Sequence, residues 1–167
     1  RINNLYFDGK EFFPEPELLL SESPLLLGTD GRKMGKSLNN AIYLKMTNDE
    51  TAKMIKKAKT DTEKDISYDP INRPEVSNLL RLYSCCTGAS PEIIADQIGN
   101  RGASELKKSL VEVVNEYFKP IRERRLIYAT EKGYIWDLLK EGNRYANEIA
   151  EQTMRDLKKA MHMLYYQ

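Results

Sequence analysis

Two lysines, Lys33 and Lys36, stand three positions apart in the stretch "GTDGRKMGKS", Gly28 to Ser37. Ammonium groups on a glycine-containing loop suit the neutralisation of phosphate charge. The closing Gly-Lys-Ser invites comparison with a phosphate-binding P-loop, but the spacing excludes one. A P-loop places its first glycine five positions ahead of the glycine that precedes the lysine. That place is Asp30 here; Gly31 comes one position too late and Gly28 two too early. An aspartate there also sets a carboxylate against the phosphates. Leu38-Asn39-Asn40-Ala41 is a poor start for the helix that a P-loop must feed. The loop therefore offers two cations on a turn without a backbone cradle. A plain solvated basic loop is the reading to set beside it.

Other chemistry is thin. His162 is the one histidine, near the C-terminal end, with no cysteine or carboxylate cluster around it. That argues against a zinc site or a histidine-based nucleophile. Ser37 has no evident base, and the carboxylates are scattered at solvent-face spacing. A second basic group, "KPIRERR", runs from Lys119 to Arg125. Arg122 and Arg125 share a helix face, with Arg124 beside them. They suit phosphate contacts, or else carbonyl capping and pairing with neighbours such as Glu123. Cys85 and Cys86 are adjacent, so they staple nothing and lack metal-ligand spacing. They read as small apolar residues of a buried helix.

The elements that must position these groups follow from punctuation and periodicity. Up to Leu27 the chain reads as loop, then a short buried strand or turn; "AIYL", Ala41 to Leu44, is one more extended piece. From Thr47 onward helices take over. Thr47 and Glu50 form a capping box, opening a helix with Ala52, Ile55 and Ala58 on one face, ending near Thr60-Asp61. A turn falls at Asp69-Pro70. Pro74 opens a second helix with Val76, Leu79, Leu80, Leu82 and Tyr83, closed by Gly88. Ser90-Pro91-Glu92 starts a third, ending at Gly99. A long helix begins near Ala103, with a kink or break predicted at Pro120 and its end at Gly133. The last runs from about Tyr134. Gly142, Ala146, Ala150, Thr153, Leu157 and Ala160 share one of its faces, which predicts close approach of another helix. The fold class is mainly α, a helical bundle behind a short, partly extended N-terminal piece.

The bulk properties bound the answer. The 167 residues suffice for one domain, or a small domain with a piece of another, and carry a net charge of only +1. RNA or DNA contacts must then come from local patches. No apolar run is long enough to span a membrane, and the chain opens without a signal peptide. A cytoplasmic, reducing setting is expected. "RINNLYFDGK" opens without methionine, so the chain is expected to begin inside a longer protein.

"GTDGRKMGKSLNNAI" resembles the GxDGxKMSKSxxN-I stretch of class I aminoacyl-tRNA synthetases, the tryptophanyl-tRNA synthetases in particular. "KKAKTD" is similar to the helix end after that loop, "RPEVSNLLRLYS" to the next helix, and "GYIWDLLKEGNRYANEIAEQT" to the last one. The resemblance runs from about Phe12 to Met161, the C-terminal half of such an enzyme. It implies ATP-dependent activation of tryptophan to an adenylate and transfer to the tRNA for tryptophan. It implies Mg²⁺ accompanying ATP, a cytoplasmic homodimer, and two parts in this chain. Residues 1–45 would be the end of a Rossmann-like α/β catalytic domain; residues 46–167 would be a helical anticodon-binding domain. Lys33 and Lys36 would be catalytic, with Lys33, Met34, Gly35, Lys36 and Ser37 binding ATP. Lys119, Arg122, Arg124 and Arg125 would contact the tRNA. Gly35 departs from the serine usual at the middle of the motif, which removes a hydroxyl and adds backbone freedom. The HIGH-type signature is absent, so the chain alone is expected to be inactive. The same part of a tyrosyl-tRNA synthetase and a non-catalytic helical interaction module are the alternatives.

Overall fold

The computed structural model describes residues 7, 12–14, 16–21 and 23–164. They are mainly helical: α1 (Asn48–Lys57), α2 (Pro74–Thr87), α3 (Pro91–Ile98), α4 (Gly102–Thr130) and α5 (Lys132–Ala160), with short 3-10 turns at Lys36–Leu38 and Gly99–Arg101. Two compact units result, one formed by Leu20–Ile127 and the other by Arg1–Leu19 with Tyr128–Gln167.

In the first unit the caps act as their residue types require. Thr47 accepts from the Glu50 amide, and the Glu50 carboxylate accepts from the Thr47 amide at 2.8 Å. Thr47→Ala is expected to cost about 1 kcal/mol of stability in a denaturant titration. Pro74 and Pro91 occupy first-turn positions, Ser90 caps α3, and Gly88 ends α2 in the left-handed region at φ 76°. The apolar faces meet in one core. Ile55 of α1, Val76, Leu79 and Leu80 of α2, Ile94 and Ile98 of α3, and Leu106, Leu110 and Val114 of α4 are all buried. Lys107 of α4 donates its ammonium to the Ala58 carbonyl at 2.6 Å, satisfying the end of α1. Its burial pulls its pKa down.

Arg73 holds the segment between α1 and α2. It is 9 % exposed. Its guanidinium donates twice to Asp61, both at 2.8 Å, and also to the Asp65 carbonyl and the Ser67 hydroxyl. These bonds close the polar connection that the sequence left without a partner.

Several expectations change. No strand forms among the described residues; the single bridge pairs Leu27 with Lys33. The leucines at 18 to 20 are exposed rather than buried, because an extended run without a neighbouring strand has nothing to pack on. Ala41 to Leu44 is irregular. Helix α1 stops at Lys57, before Thr60. Helix α4 continues through Pro120 without a break. Position 120 is exposed, so water can take the carbonyl that the proline cannot satisfy. Gly133 does not end that helix; it lies in the first turn of α5, and the interruption is at Glu131. Cys85 is exposed, while Cys86 is half-buried against the core. Burial, then the neighbouring Cys85, pushes the Cys86 thiol up to about 11.

In the second unit, α5 stands largely exposed. Among the described residues a Cβ added at Gly142 would meet nothing within 4 Å, and Ala146, Ala150 and Thr153 on the same face are exposed. Tyr128 and Tyr134 stack across the Glu131 interruption, ring centroids 5.7 Å apart.

Candidate functional site

The lysine loop is built around Asn40, a side chain that is 2 % exposed. Its amide nitrogen donates to Asp30 at 2.8 Å and to the Lys33 carbonyl at 3.2 Å. Its amide oxygen accepts from the Gly35 backbone at 2.9 Å. One buried amide thus fixes both ends of the Lys33–Gly35 turn. Gly28 exists to make room for it. A Cβ at position 28 would sit 2.2 Å from the Asn40 amide nitrogen. Gly28→Ala is therefore expected to evict the Asn40 side chain, visible as loss of amide protection across residues 30–40 in hydrogen exchange.

The loop base is tied to the helices as well. Asn78 of α2 accepts from the Leu27 amide at 2.7 Å and donates to the Leu27 carbonyl at 3.1 Å. The Lys59 amide donates to the Thr29 carbonyl, and the Lys59 ammonium pairs with Glu75 at 2.7 Å. Asp30 also holds Arg32 at 2.7 Å. The Asn40 amide first, then the Arg32 backbone and guanidinium, lower the Asp30 carboxyl to about 2 from its ordinary 3.8. Its pKa is depressed in the fold, so its support of the loop is complete above the ordinary value. That support is lost as pH falls through about 2. An NMR titration of the Asp30 carboxyl should show that midpoint, and Asn40→Ala should move it upward.

On this scaffold the Lys33 and Lys36 side chains are exposed. Among the described residues neither ammonium has a hydrogen-bond or ion-pair partner. Both are available to an anion. Ser37 lies with Lys36 in the exposed 3-10 turn. Met34 is half-exposed and lines an apolar cavity of about 250 Å³ beneath the loop, with Leu27, Ile42, Leu79 and Phe118 among its walls. Gly35 has extended backbone, φ −154° and ψ 141°. A Cβ there meets only the Leu38 side chain at 3.6 Å. A serine fits that position without strain, so the glycine's added freedom is not used in this conformation.

The second basic group divides. Lys119, Arg124 and Arg125 are exposed on α4. Arg122 is committed to the fold. Its guanidinium donates to Asn48 at 2.6 Å, Asn115 at 2.8 Å and Thr51 at 2.7 Å, and lies 5.4 Å from the Phe118 ring centre. Its Nε is buried without an acceptor among the described residues, and burial lowers its pKa. Arg122 and Arg125 do converge with Lys45 around a small cavity; Lys119 and Arg124 do not line it. Asn40, Asn78 and Lys45 are the residues that the sequence left without a role. Asn40 carried a signal, since it is the asparagine of the xxN that trails the lysine motif.

This loop and its helical support define a family. The chain belongs to the class I tRNA synthetases (W and Y), whose family model matches residues 1–119. Within that family its relatives are tryptophan–tRNA ligases. The Aquifex aeolicus enzyme is 37% identical over 168 residues, covering 98% of this chain and 41% of that protein. The Halalkalibacterium halodurans enzyme is 37% identical, covering 96% of this chain and 49% of that protein. The crystal structure of tryptophanyl-tRNA synthetase from Campylobacter jejuni complexed with ADP and tryptophan superposes with a TM-score of 0.68 at 25% identity, over 96% of this chain and 50% of that one. The chain spans about half the length of the relatives it matches.

Proposed function

We propose that this chain is the working C-terminal part of a tryptophan–tRNA ligase, which activates tryptophan with ATP and transfers it to the cognate tRNA. In this reading residues 1–45 complete the catalytic domain and residues 46–167 form the helical anticodon-binding part. The observation that carries it is the pair of unpartnered ammonium groups on a loop fixed by Asn40. Adenylate formation joins the tryptophan carboxylate to the α-phosphorus of ATP and expels pyrophosphate. Negative charge grows on the departing phosphates, and Lys33 and Lys36 oppose that charge more strongly in the transition state than in the ground state. Asn40, Asp30 and Gly28 hold the turn that presents them, so part of the ordering is complete before ATP arrives. Met34 anchors the turn on the apolar cavity. Magnesium suits phosphate oxygens with few protein ligands. In this reading Mg²⁺ arrives with ATP.

The working protein in this reading is a cytoplasmic homodimer. Among the described residues no helix is long and apolar enough to cross a membrane. The test is tryptophan-dependent ATP–pyrophosphate exchange. The chain alone should give none. Mixed with a polypeptide carrying the remaining half of such a synthetase, it should give exchange with tryptophan and not with tyrosine. Exchange with tyrosine would move the assignment to the sister enzyme. Failure of every mixture would leave the interaction-module alternative.

A further inference from the structure

Four elements enclose the apolar cavity beneath the lysine loop. The loop supplies Leu27 and Met34, α1 supplies Ile55, α2 supplies Leu79, and α4 supplies Val114 and Phe118. Packed interiors hold few voids larger than a water molecule, and this one measures about 250 Å³. None of the described residues lining it is charged. Two of its polar residues are already engaged. Asn40 is bonded to Asp30, Lys33 and Gly35, and Asn78 to both backbone groups of Leu27. The third, Thr29, differs: its hydroxyl has no hydrogen-bond partner among the described residues.

The size and lining of the cavity select its occupant. An apolar cavity of about 150 Å³ stays dry and takes one benzene ring, so this one has room for a substituted ring or two fused ones. A charged ligand would lose its hydration with no opposite charge to replace it. A peptide strand would bring backbone N–H and C=O groups that these walls cannot satisfy. An aromatic ring suits them, because Phe118 and Met34 offer ring and sulfur contacts. We propose that this cavity binds an uncharged aromatic molecule of one or two rings, with one hydroxyl or carbonyl group on Thr29, and that its occupancy fastens the lysine loop to the helices. Leu27, Thr29, Met34 and Asn40 are walls of the cavity and parts of the loop region at once. The site is therefore complete only while the loop is in place. Binding lowers the population of the opened loop by a factor of one plus the ratio of ligand concentration to Kd. The site does not depend on the ligase reading, since neither ATP, tryptophan nor tRNA enters it.

The test titrates the full chain with fluorobenzene, para-fluorophenol and para-fluorobenzoate, followed by fluorine NMR. The first two should bind saturably, and the charged benzoate about tenfold more weakly or less. The phenol should bind several-fold tighter than fluorobenzene through its added hydrogen bond. Thr29→Val should remove that advantage and leave fluorobenzene unchanged. Leu82→Phe, at a half-buried wall position, fills the space and should abolish binding of both. Leu82→Ala enlarges the space and should shift the preference toward fluoronaphthalene. Circular dichroism with thermal melting verifies that each variant keeps the fold. With para-fluorophenol at ten times its Kd, hydrogen exchange across residues 30–40 should slow about tenfold, and that across α5 should not change. Absence of saturable binding by the wild type overturns the proposal. Equal affinity for the benzoate does so too, as does binding that survives Leu82→Phe. An unaltered ring-size preference in Leu82→Ala, or loop exchange that the ligand leaves unchanged, also overturns it. Pyrophosphate exchange separates this from the proposed function. Exchange that succeeds while the cavity takes no probe leaves the ligase reading intact; probe binding with no exchange in any mixture removes the ligase and keeps the cavity site.

Discussion

Lys36→Ala in the complemented enzyme should lower tryptophan-dependent ATP–pyrophosphate exchange by roughly two to three orders of magnitude, through kcat rather than KM for tryptophan. That is the scale for removing one preorganised donor from developing charge in a closed site. Lys33→Ala should give a loss of the same order. The two together should lose less than the product of the single effects if both act on one pyrophosphate. Lys36→Arg is an informative intermediate. Arginine keeps the charge but replaces a compact ammonium with a planar fork, so partial activity is expected. The scaffold makes the comparison clean. Neither side chain has a partner in the fold among the described residues, so alanine at either position should leave thermal stability unchanged. A large fall in Tm with either variant, or exchange that survives both, would show that the loop is not the phosphate grip.

Arg73→Met should be among the most destabilising single changes in the unit formed by Leu20–Ile127, by about 3 kcal/mol, or roughly 10 °C in Tm. Methionine fills much of the volume but satisfies neither Asp61 oxygen, the Asp65 carbonyl nor the Ser67 hydroxyl. The cost is dominated by polar groups left without a donor. Asp61→Asn should cost less, because it keeps an acceptor and sits at a more exposed position. The pH dependence has a defined sign. The Arg73 hydrogen bonds, against the opposing effect of burial, lower the Asp61 pKa. Its contribution is complete above the ordinary carboxylate range and fades as pH falls through the lowered value. Acid titration of wild type should therefore show a stability loss that Asp61→Asn lacks. Urea unfolding at neutral and acid pH measures both.

Much of the helical part was legible because its signals are local. Thr47 with Glu50, Pro74, Gly88 and Ser90 each act within one turn of chain, and each element began or ended where they stand. The lysine loop was legible as chemistry from two charges and their spacing. What held it, and what held the segment between α1 and α2, was not, apart from the asparagine that trails the motif. Asn40, Asn78 and Arg73 work through bonds to residues distant in sequence or through a turn whose shape the sequence does not print. A polar residue that will be buried looks the same on the page as one that will be solvated. Pro120 and Gly133 mislead for the opposite reason. Their local preference is real, but an exposed position lets water repair the first, and the break two residues earlier at Glu131 makes the second a first-turn glycine. Arg122 belongs to both cases, since its charge suggested a ligand while its partners are the start of α1.

The exposed face of α5 carries Trp136, the sole tryptophan of the chain, with 63% of its surface open. The protein therefore contains one intrinsic optical probe, set on the helix whose small-residue face stands open. In isolation its emission should be red-shifted and readily quenched by iodide. A blue shift and protection from quencher on adding another polypeptide would report, without any label, that this helix has been covered, and the titration curve would give the affinity of that encounter directly.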